Sequence, residues 1–147
     1  MHRSLVAVAA AVVVAASAAM AQTKIATVED YARLMKSNAE LGSAMNKALS
    51  APSYPEARKV LAAVRRNFVA LQGFWTERKR TDAMAIVKDG LGQIDNLDKM
   101  LAADADLAAV GTASQEFGRT TCAACHKLYR EGDDQSGFRF KPGVFEK

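Results

Sequence analysis

Hydrophobic residues recur at helical spacing along most of this chain. Beyond an apolar N-terminal run, apolar positions three and four residues apart form four stripes, and no stretch alternates as a half-buried strand would. The stripes predict helices over residues 28–49, 55–78, 82–102 and 106–130, with Thr121, Ala124 and Leu128 inward in the last. Four amphipathic helices of similar length with short connections predict an all-α, up-down-up-down antiparallel four-helix bundle.

The N-terminal run has a different pattern. Arg3 precedes a stretch of mainly Ala and Val, and small residues ending at Ala21 complete an A-x-A cleavage pattern. This order is typical of a secretory signal peptide over residues 1–21. A membrane anchor is the alternative, but the alanine content makes the run only weakly hydrophobic. We therefore expect cleavage after Ala21, export to the periplasm, and a cleaved chain that does not associate with membranes.

Composition indicates one folded domain. Half of the 147 residues are hydrophobic, with 20 Lys and Arg against 16 Asp and Glu, which excludes a chain disordered throughout. Loss of Arg3 with the signal peptide lowers the formal net charge of +4 by one. The remaining charge is too small to indicate nucleic-acid binding.

The C-terminal segment, residues 133–147, is unlike the helical domain that we assign to residues 22–132. It is polar at first and then contains Phe138, Phe140 and Phe145, half of the six phenylalanines in the chain. This density of aromatic side chains indicates packing on the domain, and a frayed terminus is the alternative. The sequence leaves both open.

The candidate chemistry lies near the end of the fourth predicted helix. Cys122 and Cys125 are separated by two alanines, and His126 follows directly, which makes the C-x-x-C-H attachment sequence of c-type haem. Two thiols three residues apart on a helix share one face, so both can bond the vinyl groups of one porphyrin while the adjacent imidazole binds the iron. Since His2 leaves with the signal peptide, His126 is the only histidine of the cleaved chain.

Three other interpretations of the cysteine pair are weaker. A structural disulfide across C-x-x-C inside a regular helix would close a small, strained loop. A thioredoxin-like redox site needs the motif at a helix N-terminus after a strand, whereas here it follows several helical turns. A zinc site would lack ligands, because the cleaved chain has no further Cys or His.

An exported four-helix bundle with C-x-x-C-H on its last helix resembles the class II cytochromes c, the cytochrome c′ family. The segment from Cys122 to Arg130 is similar to the family's C-x-x-C-H-x-x-(F/Y)-R ending. The segment from Tyr31 to Met35 resembles its first-helix pattern, a Tyr-Arg pair followed by a distal residue. The resemblance implies one covalent haem c, bound through Cys122 and Cys125, with His126 as the proximal iron ligand.

The candidates for the sixth iron ligand are methionines. In the predicted topology Met35 and Met84 lie near the level of His126, whereas the other two methionines of the cleaved chain lie about 15 Å or more further along their helices. The family resemblance favours the first helix and therefore Met35. A five-coordinate iron with Leu34 or Met35 packed above it is one alternative, and ligation by Met84 is another.

Other side chains at the same end of the bundle are candidates for the haem surroundings. We expect Arg130 to bind a haem propionate. Phe74, Trp75 and Tyr129 would line the haem crevice or form ordinary core. The basic turn at residues 78–80 is either a docking patch or a solvated turn.

These features predict a monohaem cytochrome that carries single electrons between periplasmic redox partner proteins and is not an enzyme. Methionine–histidine ligation suits electron transfer, while an open iron would suit a protein that binds NO or CO. A periplasmic thiol–disulfide oxidoreductase is a more distant alternative. Because Asn38, Glu40 and Ser43 make the first helix polar where members of the family pair, we expect a monomer or a weak homodimer.

Overall fold

The computed structural model describes residues 24–50, 53–133 and 135–145, so the predicted signal peptide, residues 1–21, lies outside the described residues. The elements are α1 Val28–Ser50, α2 Tyr54–Glu77, α3 Thr81–Ala102, α4 Leu107–Phe117, a π-helical turn Gly118–Cys122, α5 Ala123–Tyr129, β1 Arg130–Asp133 and β2 Gly137–Phe140. This mostly helical architecture is consistent with the predicted helical bundle, but β1 and β2 form a hairpin that the sequence analysis does not predict and that departs from an all-α fold. Within the described ranges, no helix is long and apolar enough to cross a bilayer.

Helices that follow one another in the chain pack together: α1 on α2, α2 on α3, and α3 on α4. Two ion pairs join α2 to α3, Arg58 with Asp98 at 2.8 Å and Arg65 with Asp95 at 2.7 Å. Between α1 and α2, a polar contact connects Asn38 with Asn67, whose side-chain amide donates at 2.8 Å. Asn38, which the sequence analysis places where members of the family pair, therefore contacts α2 of the same chain.

The core changes in character along the bundle. One half is aliphatic and buries Leu61, Val87, Ile94, Leu97 and Leu101. The other end, where α2 finishes and α3 begins, is aromatic and buries Phe74, Trp75 and Tyr129. Removing these side chains from water stabilises both halves by about 25 cal/mol per Å² of apolar surface.

The fourth predicted helix is not a regular α-helix throughout. The Ala123 amide donates to the Gly118 carbonyl five residues earlier, which defines the π turn between α4 and α5. A π turn takes up one more residue than an α turn, so the buried face moves on by one position beyond it. Leu128, expected inward from regular spacing, is 45% exposed, and Tyr129 is buried in its place. The prediction of Leu128 as a core residue is therefore wrong.

The C-terminal tail packs on the bundle, which is one of the two outcomes left open above. β1 and β2 pair antiparallel. Gly132 has a φ of +88°, and a Cβ there would lie 2.1 Å from the Gly137 carbonyl oxygen, so the pairing requires glycine at this position. Val144 is buried in the core, and Phe140 and Phe145 pack against it. The strand pair continues across residue 132, so this part of the tail belongs to the same packed unit as the helices.

Candidate functional site

Cys122, Cys125 and His126 lie at the junction between the π turn and α5. Both cysteines are free thiols, and all three side chains are half-buried. Among the described residues, no group of three or more His, Cys, Asp and Glu side chains is arranged to hold a metal ion by itself. The junction therefore offers two adjacent thiols and one imidazole on a single short helix.

Burial keeps these three groups uncharged. It raises the pKa of the Cys122 thiol. Burial, together with the neighbouring Cys122 and Asp82, raises the pKa of Cys125 to about 11. Burial and the Arg130 guanidinium lower the pKa of His126. Near neutral pH the site thus presents protonated thiols and an unprotonated imidazole, the form of histidine that binds metals.

Contacts from α3 hold the π turn in place. The Gln93 side-chain amide donates to the Thr120 hydroxyl at 3.0 Å and to the Thr121 hydroxyl at 3.5 Å. Thr121 is buried against Gly90, where a Cβ would come 2.6 Å from the threonine methyl carbon. Gly90 therefore allows α3 and the π turn to approach closely, and this approach fixes the backbone that carries Cys122.

An aromatic cluster fills the end of the bundle next to the cysteine pair. Its rings come from α1, α2, α5 and the tail, and they belong to Tyr31, Phe74, Trp75, Tyr129, Phe140 and Phe145. Three of them, Phe74, Trp75 and Tyr129, are predicted from the sequence as crevice or core residues. The other three, Tyr31, Phe140 and Phe145, come from α1 and the tail, and helical periodicity does not predict that these two segments contact each other.

The aromatic cluster buries polar groups that have no partner. Trp75 is fully buried, yet within the described residues its indole Nε1–H donates no hydrogen bond, and neither does the buried Nε–H of Arg80. The Tyr129 hydroxyl also makes no well-formed hydrogen bond there, although burial and the adjacent Asp82 carboxylate raise its pKa to about 12. Because an unmade hydrogen bond costs about 1–3 kcal/mol for a buried group, each of these atoms requires an explanation.

The turn between α2 and α3 connects Arg80 to Trp75. The Arg80 amide donates to the Trp75 carbonyl at 3.2 Å. The Arg78 guanidinium lies 3.7 Å over the Phe74 ring, whereas Lys79 is exposed. The basic turn of the sequence analysis therefore contains two half-buried arginines and one solvated lysine.

The candidate distal residues lie on the second turn of α1 and the first turn of α3. Met35 is half-buried and follows Tyr31 by one helical turn. Burial and the nearby Cys125 raise the pKa of Tyr31, so Met35 is one turn from a neighbour of the cysteine pair. Leu34 is buried in the core, and Met84 packs against the core on α3.

Side chains rather than close backbone packing connect α1 with α5. In the described residues, the helix pairs that pack closely are α1 with α2, α2 with α3, and α3 with both α4 and α5. Tyr31 reaches Tyr129 through Trp75, with ring centroids 6.0 Å and 4.6 Å apart. The two helices therefore meet across a layer of aromatic rings.

The arginines at this end differ from expectation. Arg130, predicted to bind a propionate, is exposed at the start of β1, with its guanidinium 3.9 Å over the Phe138 ring. Arg80, which the sequence presents only as part of a basic turn, has the buried, unpartnered nitrogen. Arginines five residues after a tryptophan, across the turn that ends a helix, are a common pattern. The sequence alone could therefore not have singled out Arg80.

Comparison of the chain with protein-family models, with curated proteins and with solved structures finds no significant match. The functional argument therefore rests on the residues of the site. The most informative features of the site are the two thiols with their adjacent imidazole and the nearby buried donors that have no partner among the described residues.

Proposed function

We propose that this chain is an exported monohaem c-type cytochrome that carries single electrons between periplasmic redox partner proteins. Cys122 and Cys125 bind one haem through thioether bonds, His126 is the proximal iron ligand, and Met35 is the distal ligand. The observation that carries the proposal is the half-buried pair of protonated thiols beside an unprotonated imidazole on one short helix.

The proposal includes an up-down-up-down arrangement of the helices. It is supported by Tyr31 near the start of α1, whose ring lies 5.0 Å from that of Phe74 near the end of α2. It is also supported by Asp82 at the start of α3, which lies beside Tyr129 at the end of α5. In such an arrangement the beginnings of α1 and α3 share one end of the bundle with the cysteine pair.

Three features of the described residues favour haem as the bound group. The thiols are free and close enough in sequence to bond one porphyrin. The buried donors near them lack acceptors, and haem propionates are acceptors. Finally, α1 and α5 are separated by a layer of aromatic side chains. A planar apolar haem could be added to this layer without separating two closely packed helices.

The residues of the site have distinct tasks in this proposal. The haem, when bound, supplies the one-electron chemistry of its iron. His126, kept unprotonated by burial, would be a ligand of the iron. The Met35 thioether, a neutral and soft ligand, would favour the reduced iron. The aromatic cluster keeps water away, which limits the solvent reorganisation that accompanies electron transfer.

Haem staining of denatured protein on a gel tests covalent attachment. Protein from cells that attach haem in the periplasm should keep the stain after denaturation, and its intact mass should increase by one haem. Cys122→Ala/Cys125→Ala should lose both signals, whereas Leu128→Ala, on the exposed side of the same helix, should keep them. Wild-type protein without covalent haem would overturn the proposal.

Met35 decides between electron transfer and gas binding. The ferric absorption spectrum of the wild type should be low-spin. Met35→Ala should become high-spin and bind CO faster with its haem retained, while Met84→Ala should keep the wild-type spectrum. The second candidate function is NO or CO binding, and it remains open because Met35 is only half-buried. A wild-type iron that is already five-coordinate would favour this function over electron transfer.

A thiol–disulfide oxidoreductase has less support. Such enzymes react through a thiolate of lowered pKa, usually at a helix N-terminus. Here burial raises the pKa of both thiols. A slow reaction of the haem-free chain with thiol reagents at neutral pH is the expected result.

A further inference from the structure

Among the described residues, two buried hydrogen-bond donors at the aromatic end lack an acceptor, the Trp75 Nε1–H and the Arg80 Nε–H, and both residues contact the Tyr129 ring. We infer that the Trp75 indole N–H and the Arg80 guanidinium bind a carboxylate, and that this carboxylate is a haem propionate. The inference rests on the proposed function, because the haem brings the carboxylate to the site. It assigns propionate binding to the α2–α3 turn and not to Arg130, which is exposed on the hairpin.

The chemistry of the donors restricts the missing partner. An indole N–H and a guanidinium N–H can only donate, so the partner must be an acceptor. The Arg80 guanidinium carries a positive charge, which a carboxylate neutralises and a water molecule does not. Its planar fork matches the geometry of a carboxylate. A carboxylate is therefore the simplest group that satisfies both residues.

The two donors are held close to the attachment helix. The Arg80 amide donates to the Trp75 carbonyl at 3.2 Å, which fixes the backbones of the two residues relative to each other. Both lie against Tyr129, whose ring centroid is 4.6 Å from that of Trp75 and 5.3 Å from the Arg80 guanidinium carbon. Tyr129 follows Cys125 by one helical turn. The donors are therefore next to the helix that would carry the haem.

Asp82 is the rival acceptor within the chain. Its carboxylate lies beside Tyr129, and one of its oxygens accepts from the Ala83 amide at 2.9 Å. The Tyr129 hydroxyl and, more weakly, the charge of Arg80 lower the pKa of the Asp82 carboxyl, but Asp82 does not accept from the Arg80 Nε–H, which has no partner among the described residues. A test of the inference must still separate a propionate from this carboxylate.

The reduction potential of the holoprotein provides the main test. Arg80→Gln should lower the potential, because a propionate without its cation stabilises ferric iron. Arg78→Gln is the matched control. It removes the same charge from the same turn, but Arg78 stacks on Phe74 and is not part of the inferred propionate site. We expect the Arg80→Gln shift to be at least twice that of the control. Arg80→Lys should restore part of it, because the charge remains while the fork is lost.

Resonance Raman spectra report the propionate directly. Arg80→Gln and Trp75→Phe should both move the propionate bending band, and Arg78→Gln should leave it unchanged. Trp75→Phe keeps an aromatic ring, removes the indole donor and changes no charge, so a band shift in this variant cannot come from lost charge. Equal potential shifts for the two arginine variants together with unmoved bands would overturn the inference.

The Asp82→Asn background separates the two acceptors. If Asp82 is the partner, Arg80→Gln should leave the propionate bending band unmoved in this background, and the inference fails. If a propionate is the partner, Arg80→Gln should still move that band. Holoprotein with stained haem but unshifted variants would refute this inference alone, whereas loss of covalent haem in the wild type would refute the proposed function itself.

The stability of Trp75→Phe provides an independent readout whose size depends on haem. Trp75 is fully buried, so the smaller phenylalanine ring leaves a cavity and the urea midpoint should fall in both backgrounds. In the holoprotein the substitution also removes a made hydrogen bond, whereas in the haem-free Cys122→Ala/Cys125→Ala background it removes an unsatisfied donor, so the fall should be larger in the holoprotein. A fall of equal size in both backgrounds would contradict the inference. If the haem-free chain does not fold, the holoprotein measurements decide.

Discussion

The two halves of the bundle are packed with different chemistry. In the aliphatic half, Leu61 and Ile94 are buried between α2 and α3, and the charges above them are paired, as in the ion pair of Arg58 with Asp98. At the aromatic end, buried donors such as Trp75 Nε1 have no partner among the residues that the structure describes. The polar groups are therefore paired in the half where we propose no ligand, and some remain unpaired at the end where we propose haem. Departures of this kind from local consistency are expected at functional sites.

The backbone shows the same difference. The aliphatic half consists of regular α-helix, whereas the π turn Gly118–Cys122 directly precedes the cysteine pair. Single π turns are costly and occur frequently at functional sites. Here the turn moves the buried face on by one residue, so that Tyr129 and not Leu128 enters the core. Both irregularities thus occur at the end where we propose haem.

The largest stability effect should come from the aliphatic half and should not depend on haem. Ile94 is 1% exposed, so Ile94→Ala should lower the free energy of unfolding by about 2–5 kcal/mol. Leu128→Ala, at an exposed position, should change it by less than about 0.5 kcal/mol. Urea unfolding of the holoprotein measures both. A small loss for Ile94→Ala would show that this half does not carry the stability assigned to it.

A pair of glycines in α3 should give opposite results. A Cβ on Gly90 would lie 2.6 Å from the Thr121 methyl carbon and 3.1 Å from the Phe68 ring, while nothing lies within 4 Å of a Cβ on Gly92. Gly90→Ala should therefore destabilise by about 1–3 kcal/mol, and Gly92→Ala should stabilise by about 0.5–1 kcal/mol. Thermal unfolding followed by circular dichroism measures the two shifts.

The same pair also tests how the π turn is held. If α3 fixes the turn, Gly90→Ala should alter the spectrum of the bound haem, because the backbone of Cys122 moves with Thr121. Gly92→Ala should leave that spectrum unchanged. Equal stabilisation by both substitutions would show that the close approach of α3 to the turn is not needed.

Much of the helical architecture follows from the sequence, because periodicity reports which face of a helix is buried. The predicted helix at 28–49 and the observed α1 Val28–Ser50 differ by one residue. The same method fails at the π turn, because an extra residue in one turn leaves no mark in the apolar pattern. The turn depends on long-range contacts from Gln93 and Gly90.

The site divides in the same way. Cys122, Cys125 and His126 form a local motif and are therefore readable from the sequence. Arg80 and the packed tail are not, because their environment is created by segments distant in the chain. Phe140, for example, packs 4.6 Å from Tyr31, more than a hundred positions earlier. Aromatic density in the tail indicates packing but not the partner.

A smaller effect should appear when the haem-free wild-type chain is titrated with base. The pKa of Cys125 rises from 9.0 to about 11 on folding, so the folded state binds the thiol proton more tightly than the unfolded state. Its contribution to stability is therefore complete below pH 9 and is lost as the pH rises towards 11. Urea midpoints measured across this interval should fall more steeply for the wild type than for Cys125→Ala. Equal slopes would mean that the thiol is not buried by folding.

The smallest effect should come from the paired charges of the aliphatic half. Arg65 and Asp95 are close to half exposed, and exposed ion pairs contribute about 0.2–1 kcal/mol. A double-mutant cycle with Arg65→Met and Asp95→Asn should give a coupling in this range that weakens in about 1 M salt, where the Debye length is about 3 Å. Lys88→Met, which removes an exposed lysine from α3, serves as a control for the change in net charge. A coupling well above 1 kcal/mol that resists salt would mean that the pair is desolvated, and the contrast with the half-buried Arg80 would then disappear.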